Sequence, residues 1–135
     1  MDDSDSCTVT YHAAGAFNKL YIVRTSKDEL IMRVSLPVEP VNKTRGEVAT
    51  LRWIRGHTDM PVPEVISFNA SSDDEIGFEW ILMELMPGDS AYKRWRGMSM
   101  SQKTALVERM AEFQGQLMNS YLTKGAFRGI GTLNQ

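Results

Sequence analysis

Arg33 and Glu47 are the two residues of this chain whose types and placing could do chemistry together. Leu30, Met32, Val34 and Leu36 alternate with Ile31, Arg33 and Ser35, which predicts a strand over Leu30–Leu36 with a guanidinium in its middle. A charge in that position either reaches solvent along its stem or meets an acid or a phosphate. Glu47 lies on a predicted helix that runs to about Arg55 and ends at Gly56. It shares a helical stripe with Leu51 and Ile54, the face that packs inward. Burial of an unpaired carboxylate costs several kcal/mol. Two readings follow: Glu47 has a cationic partner, for which Arg33 is the candidate, or it sits wet at the edge of the stripe.

Two further stretches bear on a site. Phe78–Gly88 reads as an interior strand, because Trp80, Leu82 and Glu84 alternate with Ile81, Met83 and Leu85 and apolar weight falls on both faces. Pro87 and Gly88 stop it, leaving main-chain groups around Glu84 and Met86 unpaired at the edge of a cleft, where they suit a flat heterocycle. Upstream, His12–Phe17 is a turn of small residues between two short strands, Thr8–Tyr11 and Asn18–Arg24. Bare amides there could approach a phosphate, with Gly15 free to take any φ; an ordinary hairpin turn is the alternative.

The elements that position these residues follow from pattern. Pro61 and Pro63 require an extended path, Val65, Ile66 and Phe68 give a fourth strand, and Asn69–Asp74 returns the chain to Phe78. The expected fold is α+β: a five-stranded antiparallel sheet with one helix inserted after the third strand, then a hinge and one long helix. Residues 1–88 form the first part and 89–135 the second. In the second, Tyr92–Gly97 reads as a linker, and Ser99 with Gln102 forms a capping box that opens a helix. Leu106, Met110, Phe113 and Leu117 fall on one stripe of that helix, extended by Tyr121. Gly125, Gly129 and Gly131 mark a closing loop, with a short strand near Ile130–Leu133.

Composition narrows the classes. The 135 residues are 42% hydrophobic and 24% charged, enough for one core. A formal net charge of −2 offers no electrostatic reason for nucleic acid or an anionic membrane as partner. Cys7 alone excludes an intrachain disulfide, and the acidic start Met1–Cys7 lacks the basic residues and apolar run of a secretory signal. A cytoplasmic, reduced setting is expected. No apolar run approaches the roughly 18 residues that span a bilayer.

Taken in order, these segments resemble the small lobe of kinase-like enzymes. The wording is most similar to the aminoglycoside phosphotransferase-like family, fungal members especially. The likeness is carried by Met32-Arg33-Val34, Thr44–Arg52, Met60-Pro61-Val62-Pro63, Ile76–Glu84 and Met86-Pro87-Gly88. It implies an ATP site. Ala13–Leu20 overlays the glycine-rich loop, with Gly15 kept, Phe17 in place, and Ala13 and Asn18 replacing glycines. Leu20 would roof an adenine and Ile31 would line the site beside Arg33. Arg33 stands where the phosphate-gripping lysine usually lies, and Glu47 where its helical partner lies. Met83 would back the pocket, and the Glu84 carbonyl and Met86 amide would read the adenine edge. Arginine in place of lysine allows a two-point clamp on Glu47.

The same resemblance requires an aspartate for the acceptor hydroxyl, and an asparagine and a second aspartate for magnesium. This sequence carries none of these. Neither His12 nor His57 opens a His-Gly-Asp or His-Arg-Asp loop, and the acids after Gly88 are Asp89, Glu108 and Glu112. No catalytic residue and no metal ligand is therefore assigned. The resemblance covers nearly all of this chain and only about half of the family's domain. Three expectations follow: an ATP-binding part of a small-molecule kinase, inactive in transfer by itself; a binding or regulatory module; or a lobe that binds no nucleotide. The stripe Leu106, Met110, Phe113, Leu117 would need cover from a second copy or a protein partner.

Overall fold

A computed structural model of the chain describes residues 6–124. Its elements, in order, are β1 (Thr8–Ala14), β2 (Asn18–Arg24), β3 (Glu29–Ser35), α1 (Asn42–His57), β4 (Val65–Asn69), β5 (Glu79–Glu84), α2 (Ala91–Arg94), a 3-10 turn (Trp95–Gly97) and α3 (Met100–Lys124). The expected glycine loop and strand of residues 125–135 lie outside the described residues. The described chain divides into two compact units. One holds the residues through Trp53 together with Pro63–Leu85; the other holds Ile54–Val62 and the residues from Met86 onward.

The first unit contains the expected five-stranded antiparallel sheet, in the order β1-β2-β3-β5-β4. β5 is interior, as its two apolar faces require, and its residues alternate between buried and half-buried. Directly opposed residues of antiparallel strands share a face. Leu20 lies opposite Arg33, and Arg33 opposite Ile81; Ile22 lies opposite Ile31, and Ile31 opposite Met83. These two rows make the face that α1 covers. Its core is Val48 from α1 with Ile81 and Met83, joined by Ile31, Leu51, Val65 and Phe68.

Several boundaries differ from the sequence reading. β1 continues to Ala14 because a bulge between Tyr11 and Ala13 absorbs His12, so the tip of the hairpin shrinks from His12–Phe17 to Gly15–Phe17. α1 runs through Gly56 to His57, and the main-chain bond from Thr58 to the Ile54 carbonyl continues it, reinforced by the Thr58 hydroxyl at 2.8 Å. Gly56 is thus helical and not a left-handed cap. Residues expected as linker instead form α2, where Lys93 and Arg94 bond back to the Ser90 carbonyl, and the 3-10 turn after it.

In the second unit the capping box forms as read: the Ser99 hydroxyl accepts from the Gln102 N–H at 3.2 Å, and the Gln102 side chain accepts from the Ser99 N–H at 2.9 Å. The loop after α1 is tied to α3 by a reciprocal pair. The Asp59 N–H donates to Gln116 Oε1 at 2.9 Å, and the Gln116 amide returns a bond to the Asp59 carboxylate. Arg109 adds an ion pair to Asp59 at 3.4 Å. On α3, Leu106, Phe113 and Leu117 are half-buried, while Met110 is exposed along with Val107 and Met118. Among the described residues no helix is long and apolar enough to cross a membrane.

The β4–β5 connection is organised by Asp74. Its carboxylate accepts from the Trp80 indole at 2.7 Å, the Asn69 amide at 2.8 Å, and the main-chain N–H groups of Ile76 and Gly77 at 3.1 Å each. Gly77 takes φ +70°, a conformation that favours glycine. These bonds, the indole's first and the amide's next, hold the Asp74 carboxyl below its ordinary range. A carboxyl whose pKa is depressed by folding stabilises the fold fully above its unfolded value of about 3.9, and that contribution disappears as pH falls through the folded value. Asp74→Asn should therefore lower the melting temperature at pH 7, and the difference from the parent should close by about pH 2. Melting followed by tryptophan fluorescence across that range checks this; a difference that stays constant to low pH would contradict it.

Candidate functional site

Arg33 and Glu47 meet. The Arg33 Nη2 donates to Glu47 Oε2, joining the middle of β3 to the second turn of α1. The arginine side chain is 20% exposed and the glutamate 33%, so the pair is partly sheltered. Of the two readings of Glu47, the paired one holds. Burial pushes the Arg33 pKa down from its ordinary value, the sign expected when a cation loses water. Arg33 Nε is buried and has no hydrogen-bond partner among the described residues.

The pair lines a cleft of about 660 Å³ together with Glu39, Asn42, Lys43, Gly46, Thr50 and Leu51. Lys43 had no place in the sequence reading. It projects from the first turn of α1 and its ammonium lies 5.9 Å from the centre of the Phe17 ring at the hairpin tip. The tip is also fastened to the end of β3: the Leu36 N–H donates to the Phe17 carbonyl at 2.9 Å, and the Ser35 hydroxyl donates to Asn18 Oδ1 at 2.9 Å. Asn18, one of the residues that replace a glycine in the resembled loop, thus satisfies a buried hydroxyl. A Lys or Ser at these places gives no periodic signal; only the fold brings them to the loop.

The other expected site residues divide. Leu20 and Ile31 are half-buried on the α1 face, in the rows of Arg33 and Met83. Met83 is 8% exposed and belongs to the core cluster. Gly15 bonds to the Asn18 carbonyl at 2.9 Å and closes the hairpin, but it does so without a left-handed φ, and a Cβ there would meet nothing within 4 Å. Its conformation does not require glycine. Gly15 lines a second cleft of about 540 Å³, which also takes in Met32 and Val34 from the sheet face opposite α1. Glu84 departs from expectation. Its N–H is not left unpaired but donates to the Glu64 carbonyl at 2.9 Å, because a bulge between Val65 and Ser67 carries the β4–β5 pairing past Val65. Met86 is exposed and is where the second unit resumes after Leu85. Among the described residues no three His, Cys, Asp or Glu side chains are grouped as a metal site.

An antiparallel five-stranded sheet, one helix inserted after its third strand, and a cation–acid pair joining the two define the small lobe of a kinase-like protein. The chain belongs to the phosphotransferase enzyme family (APH), whose family model matches residues 8–132. A subtelomeric hrmA-associated cluster protein of Aspergillus fumigatus is 33% identical over 110 residues, covering 79% of this chain and 22% of that protein. The altered inheritance of mitochondria protein 9, mitochondrial, of Candida tropicalis is 26% identical over 122 residues, covering 82% of this chain and 20% of its own. The chain spans about a fifth of the length of these relatives. Among solved structures, a Ralstonia eutropha JMP134 protein assigned as an aminoglycoside phosphotransferase overlays 64% of this chain and 24% of its own, at 20% identity and a TM-score of 0.49.

Removal of Glu47 would leave a sheltered guanidinium without its carboxylate. Glu47→Ala should cost about 1–3 kcal/mol of unfolding free energy, while the paired replacement Arg33→Met with Glu47→Leu should stay within about 1 kcal/mol of the parent. Urea unfolding of the single variants Arg33→Met and Glu47→Leu and of the double variant measures the coupling. Additive single effects, with no coupling, would mean that the pair does not form in solution.

Proposed function

We propose that this chain is the nucleotide-binding part of a small-molecule phosphotransferase and that it does not by itself transfer a phosphoryl group. The observation that carries this reading is the Arg33–Glu47 pair on the cleft side of the sheet. A phosphotransferase of this kind needs a cation fixed in direction against the nucleotide phosphates. Glu47 fixes Arg33, and the arginine side chain remains 20% exposed along the cleft that the pair lines. A triphosphate fits that donor set. Leu20 and Ile31 supply the apolar surface of the same sheet face on which an adenine would lie. The aspartates and asparagine that would orient an acceptor and hold magnesium are not in this sequence, so the chemistry of transfer is not expected of these residues.

A second reading is favoured by α3. Val107, Met110 and Met118 are 56%, 61% and 57% exposed, an apolar surface on one helix that a second copy or a protein partner would cover. On this reading the chain is a non-catalytic binding module that associates with itself or with a longer relative. A cytoplasmic setting is part of this proposal, although the Candida tropicalis relative carries a mitochondrial name. Nucleic acid is not proposed as a partner, given the net charge of −2.

ATP at millimolar concentration should raise the melting temperature of the parent by a few degrees and that of Arg33→Ala by much less. Gly15→Ala should leave the unliganded stability within about 1 kcal/mol of the parent's, and so the melting temperature within a few degrees, since its Cβ meets nothing. Differential scanning fluorimetry reads both. No ATP shift in the parent, or an equal shift in Arg33→Ala, would contradict the nucleotide reading.

A further inference from the structure

Among the described residues Glu79 is the only ionisable side chain in the fully buried set, at 6% exposed. No cation meets it. Its Oε1 accepts from the Val41 N–H and its Oε2 from the Thr44 hydroxyl, partners 38 and 35 residues away in sequence. Both donors stand at the start of α1: Val41 directly precedes Asn42, and Thr44 lies in the first turn. The early main-chain N–H groups of Lys43 and Arg45 are taken by the Glu39 and Val41 carbonyls, so Glu79 holds the residue before the helix and a side chain of its first turn from across the interior.

The path into α1 is otherwise unfavourable. Glu39 takes φ 57° and Val41 φ 69°, a left-handed conformation that is costly for a β-branched residue. The bond to Glu79 offsets part of that cost. Geometry then links this anchor to the functional pair. On β5, Glu79 and Ile81 share a face, and Ile81 lies opposite Arg33. On α1, Thr44 and Glu47 are one turn apart. The sheet thus grips α1 on two successive rungs, Glu79 to Thr44 and Arg33 to Glu47. Loss of the first rung would release the opening turn on which the placing of Glu47 depends.

We propose that Glu79 is a positioning residue for the Arg33–Glu47 pair: by holding Val41 and Thr44 it sets where α1 begins over the sheet, and so whether the pair forms. Its effect on nucleotide affinity rests on the function proposed above; its effect on the pair does not.

The test uses the full chain, labelled with 15N-arginine, well below its melting temperature. The Arg33 Nε–H resonance is read with Glu47→Ala as the reference for a broken pair. Glu79→Ala should move that resonance to the reference position. Glu79→Gln should leave it near the parent, because its amide can accept from Val41 and donate to the Thr44 hydroxyl. Thr44→Val, which removes one of the two bonds, should shift it part of the way and serves as the deciding variant if Glu79→Ala does not fold. In parallel, ATP affinity should fall roughly tenfold in Glu79→Ala and stay near the parent value in Glu79→Gln. A folded Glu79→Ala, or failing that Thr44→Val, with the Arg33 resonance unmoved would overturn the proposal. A moved resonance in a parent chain that shows no ATP affinity would support the positioning role and end the nucleotide reading.

Discussion

Everything proposed for this chain depends on one electrostatic constraint, the meeting of a strand cation and a helix acid in a place too sheltered for either to be left alone. A partly buried guanidinium keeps its charge at a cost in solvation, and the cost is tolerable only if a carboxylate stands at the right point on the neighbouring helix. That condition fixes the rotation of α1 about its axis. On the proposed function the pair also does what a hydrophobic substitute of equal stability could not, because a directed cation can receive a phosphate and a methionine cannot.

The two faces of the sheet are built differently. The face under α1 carries Leu20, Ile31, Arg33, Ile81 and Met83 in two rows, with the core closing around Val48. The opposite face carries Lys19, Tyr21, Met32 and Val34, and with Val9 and Phe78 it borders the cleft that Gly15 also touches. Gly15 stands at the hairpin tip, where the two surfaces meet, so its place in a family-like loop does not by itself say which one a ligand uses. The side proposed for a nucleotide is the one that Arg33 and Glu47 occupy.

Much of this was legible in the sequence where periodicity is strong. The alternation of Leu30–Ser35 showed which side of β3 Arg33 occupies, and the helical spacing of Glu47, Leu51 and Ile54 put the acid on the stripe that packs inward; the cost of leaving either charge alone made the pairing one of two readings, which the structure decides. The same logic applied to Glu79, which alternates with Ile81 and Met83 on the buried face of β5, would have marked it as a second inward acid. Its partners are a main-chain N–H and a hydroxyl, neither of which a pattern of residue types reveals. Bulges were equally hidden. One extra residue at His12 lengthened β1 and shortened the hairpin tip, and another beside Val65 occupied the Glu84 N–H that a simple end of strand would have left bare. Gly56 misled for a related reason: a glycine near a helix end is a cap only if the chain turns left-handed there, and Thr58 provided a different ending.

Methyl resonances separate the two faces most directly. With the Ile, Leu, Met and Val methyl groups labelled, a titration with ATP should shift Leu20, Ile31 and Met83, and should leave Met32 and Val34 where they were. Shifts confined to Met32 and Val34, or no shift at saturating nucleotide, would contradict the claim that the guanidinium under α1 marks the side of the sheet on which this chain meets a nucleotide.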